Sequence, residues 1–331
     1  MPAQTPNNVT TNLNQALTDI GSASRVFGIE GQNEANANQP GGTVQQWADG
    51  LKGMANAARA IPTLAAAPIL NLTLATSSNL AAAQTISTQM GNVTSLGVNW
   101  NAWHTFPNDG TGGGAPLSAS FGQLTNNQSV AAPYRVMNLT AFGYDQSLNS
   151  ANGSPVTPAA GGKMTLSALM TAYAGGCGSV IFYEMFDDSS TGYALFDGSG
   201  NPNTIATYIH NFTTPLADAA TTARTFIPGV LGYTLSYSGS GTQASSLLLQ
   251  NAAGAFFLIL WNNDAVQTTG ATPSNVTPSA CNVTITLTVA CTSGAIYDPA
   301  AGATPASTFG AVTSVGPVAV QGYPQIVKVV P

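Results

Sequence analysis

The hydrophobic pattern changes its period once along the chain. Over the first two-thirds, apolar residues at helical spacing alternate with short continuous apolar runs. Val9, Leu13, Ala16, Leu17 and Ile20 share one helical face, and Gly21 then leads into a strand-like run over 25–29. Val44, Trp47, Leu51, Met54 and Ala58 mark a second amphipathic helix, followed by a strand within 61–75. A helix over 80–90, strands over 96–106 and 134–144, a helix from Thr165 to Tyr173 and a strand over 178–186 continue the alternation. Ile205, Tyr208, Ile209, Phe212 and Leu216 give its last helix. Strands separated by helices pair in parallel, and strands without a polar face are buried on both sides.

From about Phe226 the period becomes two. LGYTLSYSG, SSLLLQ, AFFLILWNN, NVTITLTV and QIVKVV are separated by Gly, Pro and Asn clusters, which predicts an antiparallel β-sandwich. Ile227-Pro228-Gly229 is the expected boundary, with an α/β domain over 1–225 and an all-β domain over 226–331.

Composition narrows the setting. Only 6% of the 331 residues are charged, against about 25% in an ordinary soluble domain. The longest dense apolar stretch, Ala255 to Trp261, is far short of the roughly 20 residues that span a bilayer, so no membrane span is expected. A net charge of −6 without a basic cluster argues against a nucleic-acid partner. Solubility rests on Asn, Gln, Ser, Thr and Gly, which suits a secreted or cell-surface protein. Met1-Pro2-Ala3-Gln4-Thr5 has neither the basic segment nor the apolar core of a signal peptide, so either a leader has been removed or the start is not the natural one. The three cysteines lack metal spacing and read as structural thiols, with no metal and no cofactor expected.

The sharpest chemical signal is glutamate. There are only three, Glu30, Glu34 and Glu184, and each falls at or just past the C-terminal end of an expected parallel strand. In a (β/α) barrel that edge carries the chemistry, because the loops leaving the strands surround one pocket. Glu34 is the candidate acid. Glu30, followed by glycine, reads as a structural carboxylate directed to the barrel bottom or a helix.

The stretch VFGIEGQNEAN over 26–36 resembles the strand-four end of the retaining glycoside hydrolases built on TIM barrels, where an Asn-Glu pair is commonly extended to Asn-Glu-Pro-Asn. Asn33 and Glu34 match the pair, Ala35 replaces the proline and Asn36 is retained. The resemblance implies that Glu34 is the general acid/base and that Asn33 grips a sugar hydroxyl. NWNAWHTFP over 99–107 is similar to the sixth strand, which implies that His104 lies near the nucleophile position as an orienting hydrogen-bond donor and that Trp100 and Trp103 lie near the pocket. VIFYEMFDD over 180–188 resembles the eighth strand and its loop, implying sugar contacts from Tyr183, Glu184 and Asp187. The seventh strand ends LTAFGYDQ over 139–146, implying a substrate contact from Tyr144.

Two departures matter. Ala141 stands where the family carries its nucleophilic glutamate, and a methyl group cannot form a glycosyl-enzyme intermediate. The alanine is either a natural loss of catalysis or a Glu→Ala substitution. Secondly, the run over 25–29 counts as strand four, so the barrel portion comprises strands four to eight, a partial TIM barrel. The implied function is action on, or binding of, a β-linked oligosaccharide or polysaccharide, inactive as a retaining hydrolase in this form. A non-catalytic carbohydrate-binding pseudoenzyme and a secreted surface or adhesive protein are the alternatives.

Overall fold

The computed structural model describes residues 6–38, 42–73, 89, 93–107, 113–118, 136–147, 155–186, 192–218 and 226–331. Apart from residue 89, the helix expected over 80–90 lies outside them, as does the candidate Asp187. Contacts divide the chain into two compact units, one of residues 1–106, 121–142 and 175–182, the other of 107–120, 143–174 and 183–331.

The first unit is parallel α/β. Helix α1 (Pro6–Ile20) packs on α3 (Val44–Ala60), and a short α2 (Ala35–Asn38) lies between them in sequence. Thr43 caps α3 through its side chain, and Gln46 returns a bond to the Thr43 amide, so two of the amides left over at the helix start are satisfied. Trp47, Leu51, Ala55 and Ala58 form its buried stripe, at the spacing one helical face requires. The strands are short: β1 (Ile29–Glu30), β2 (Ile69–Leu70), β3 (Asn101–Thr105), β4 (Met137–Phe142) and β5 (Ser179–Phe182). β1 pairs with β2, a bridge from Leu70 to Trp100 leads on to β3, and β3-β4-β5 continue, all in parallel. Among the described residues this run does not close into a barrel. The first strand begins later than expected, because Ala23–Arg25 forms a turn of 3-10 helix capped by Ser22. Residues 25–28 therefore lead into β1 rather than belonging to it.

The second unit contains α4 (Pro158–Ala174), α5 (Thr204–Thr213) and eight antiparallel strands. These are β6 (Tyr233–Gly239), β7 (Ser245–Gln250), β8 (Phe256–Trp261), β9 (Cys281–Leu287), β10 (Ser293–Tyr297), β11 (Ser307–Phe309), β12 (Ser314–Val320) and β13 (Gln325–Val330). They form one sheet in the order β7-β8-β13-β10-β11 and another in the order β6-β9-β12. Phe256, Leu258 and Leu260 on β8 share a core with Val283, Ile285 and Val315 of the other sheet. The alternate residues Phe257, Ile259 and Trp261 pack with Leu166, Met170 and Phe212 of α4 and α5. A strand covered on both faces has no polar face to show, which explains the unbroken AFFLILW run. Cys281 and Cys291 are buried, unpaired thiols of the shared core, and Cys177 is a free, half-buried thiol whose pKa burial pushes up to about 11. β10 and β12 carry no strong sequence signal, since Gly294, Gly316 and Pro317 interrupt their apolar pattern, and β11 is only 3 residues long.

Candidate active site

The site is built at the C-terminal edge of the first unit's strands. Gly31 makes the local geometry possible: a Cβ there would lie 2.8 Å from the backbone of Leu72. Only glycine permits that approach. The chain then turns sharply, with Thr73 N donating to Gln32 O at 3.1 Å and Ala35 N to Thr73 O at 3.1 Å. At the apex Glu34 adopts φ +44, the one non-glycine residue with positive φ in the described chain. Its own amide donates to Thr73 Oγ1 at 3.0 Å. A side chain in the left-handed region costs about 1–2 kcal/mol, and such strain persists where surrounding contacts over-determine it. Here Thr73 supplies them.

His104, the penultimate residue of β3, is buried and stands between two carboxylates. Its Nδ1 lies 3.0 Å from Glu34 Oε1 and its Nε2 3.6 Å from Glu30 Oε1. Thr140 Oγ1 on β4 donates to the same Glu30 oxygen at 2.9 Å. The next residue on β4, Ala141, is buried and sits opposite His104 in the strand register. Burial alone lowers the affinity of His104 for a proton, but hydrogen bonds and charge from Glu30 and Glu34 outweigh it and leave the pKa above its ordinary value. Two carboxyls about one imidazole can hold, give and receive a proton. Among the described residues no cluster of His, Cys, Asp or Glu has the arrangement of a metal site.

No family model matches the sequence, and no curated protein is similar to it. Solved structures are. A glucosidase from Croceicoccus marinus superposes with a TM-score of 0.57 at 10% identity, over 91% of this chain and 68% of its own. A family 39 glycoside hydrolase from the gut symbiont Bacteroides cellulosilyticus WH2 gives 0.56 at 12% identity, over 99% of this chain and 63% of its own. The chain shares the fold of these two structures. The chain spans less than two thirds of the length of the second of these relatives.

On this fold Glu34, His104 and Ala141 come together in the first unit. Glu30 joins them, which corrects the reading of it as a bottom-facing structural group. The signal was present, since Glu30 also ends a strand and precedes Glu34 by four residues. Asn33 is exposed on the turn beside Glu34. The two tryptophans go elsewhere. Trp103 is buried within β3, and Trp100 precedes that strand, at the opposite end from His104, where it packs on Phe27 with ring centroids 5.0 Å apart. Tyr144 falls in the second unit, fully buried, its hydroxyl donating to Ala115 O at 2.8 Å. Tyr183 and Glu184 follow β5 in the chain and also belong to the second unit. The Tyr183 ring meets Tyr193 edge-on at 5.9 Å. The Glu184 backbone bonds to Tyr193 and Leu195.

Proposed function

We propose that this chain is a glycoside hydrolase-like protein that engages β-linked oligosaccharides or polysaccharides, with Glu34 as the general acid/base. The observation that carries the reading is the Glu34 carboxyl on a left-handed turn, held 3.0 Å from His104 at the C-terminal strand edge. A leaving glycosidic oxygen needs a proton from a positioned carboxyl, and a partly buried acid beside a titratable ring is suited to give it. In this reading Asn33, exposed beside Glu34, meets a sugar hydroxyl, and the antiparallel sheets of the second unit serve as an accessory β-sandwich. In this reading a carbohydrate is the partner, and the Asn- and Thr-rich, charge-poor composition supports secretion or surface display.

Ala141 limits the chemistry. A retaining enzyme traps the sugar on a carboxylate about 5–5.5 Å from the acid/base, and a methyl group at 141 cannot do so. This favours a second reading, a pseudoenzyme that binds sugar without turning it over. A panel of β-linked oligosaccharides, assayed for binding by calorimetry and for reducing ends by colorimetry, decides between them. Binding without turnover fits the pseudoenzyme, turnover dependent on Glu34 fits the enzyme, and no binding defeats both.

A further inference from the structure

We propose that Glu30 is a positioning residue that holds His104 between two carboxylates, making the ring the proton store of Glu34. The inference rests on reading Glu34 as the acid/base. Glu30 is fixed from two directions. Its Oε1 accepts from Thr140 Oγ1 at 2.9 Å and faces His104 Nε2 at 3.6 Å. The ring's other nitrogen, Nδ1, meets Glu34 Oε1 at 3.0 Å. A neutral imidazole has one donor and one acceptor nitrogen, so it can donate to only one of the two carboxyl groups. An imidazolium presents a proton to each. Among the described residues Glu30 and Glu34 are the charged groups that act on the ring.

The arrangement implies a defined transfer. When Glu34 has given its proton to a leaving oxygen, the Nδ1–H bond of His104 breaks and the proton joins Glu34 Oε1. The bonding pair stays on Nδ1, and Nε2 keeps its hydrogen towards Glu30. Solvent protonation of Nδ1 then restores the ring. In this role Glu30 acts through the ring. It sets the orientation and charge of the ring that serves the acid. Burial of the ring, which disfavours the cation, makes this carboxylate necessary.

The chain has only two histidines, and His210 is exposed on α5, which makes the test direct. Proton–nitrogen correlation spectra of the rings are followed through a pH titration of the intact chain. His104 should lose its proton above the ordinary histidine value of about 6.5. In Glu30→Gln the His104 midpoint should fall by roughly one unit or more, as expected when an opposite charge at this range is removed, while His210 stays in place. Thr140→Val, which removes the hydroxyl that pins Glu30, should move the His104 midpoint in the same direction by less, and it decides the matter alone if Glu30→Gln does not fold. An unchanged His104 midpoint in a folded variant overturns the proposal. The spectra report on the ring without any sugar, so failed oligosaccharide binding would defeat the reading of Glu34 and leave this result standing.

Discussion

Thr140 Oγ1 and Glu30 Oε1 lie 2.9 Å apart, although β2 and β3 stand between their strands in the sheet order. In a flat sheet, strands three places apart are separated by about 14 Å. Side chains from β1 and β4 meet only because the strands curl round a common interior, as in a barrel wall. Curvature therefore brings a residue on the first strand, His104 on the third and the Ala141 position on the fourth to one place.

Restoring the carboxylate tests the meaning of the alanine. Ala141→Glu should confer retaining hydrolysis of an activated aryl β-glycoside. The alanine form should give an α-configured glycosyl azide when azide is supplied, since a small anion can attack where the carboxylate would stand. Anomeric analysis by NMR reads both. Rapid hydrolysis by the alanine form without azide would show that the nucleophile lies elsewhere.

The ion cluster should leave a trace in the pH dependence of folding. His104 has a raised pKa in the folded chain, so it binds its proton more tightly there than when unfolded. Its stabilisation is fully present below the ordinary value of about 6.5 and is lost as pH rises through the raised value. Urea unfolding across that window should show stability falling with pH, and His104→Gln should remove that component of the slope. An unaltered slope in the variant would contradict the assignment.

The turn at Glu34 should discriminate glycine from alanine. Glu34→Gly and Glu34→Ala both lose the carboxylate, but only glycine occupies φ +44 without cost. The glycine form should be the more stable by roughly 1 kcal/mol, measured by denaturant unfolding. Equal stabilities would mean that the backbone relaxes on losing the side chain.

β8 offers a packing test on the second unit. Phe257→Ala removes a buried ring from the interface of β8 with α4 and α5 and should cost about 3–5 kcal/mol. Ile259→Val, at a fully buried site of the same face, should cost about 0.5–1.5 kcal/mol. Chemical denaturation of each variant gives the values.

Much of this was legible in the sequence because it rests on period. The Trp47–Leu51–Ala58 stripe of α3 and the alternation along β9 follow from one buried face each, and both elements appear where the pattern puts them. β8 was legible for another reason, a run too apolar to have an exposed side. Strand limits were less legible. β1 and β2 pair over only two residues each, and so short a pairing leaves no periodic trace in flanking residues that are equally apolar. In the site, Glu34, His104 and Ala141 could be read from their places at strand ends. The place of Glu30 in the site was not legible, because its partner Thr140 is 110 residues away, a relation set by sheet curvature. Trp103 was misleading in the opposite sense. Its neighbour His104 faces the site, while the indole itself is buried in the strand.

The most direct test of the account is a titration of the chain with β-linked oligosaccharides while the two histidine rings are watched by NMR. The account predicts saturable shifts of the His104 ring signals with at least one β-linked sugar, and no shift of His210. Saturable binding that leaves the His104 signals unmoved, or no binding by any oligosaccharide of the panel, would contradict it.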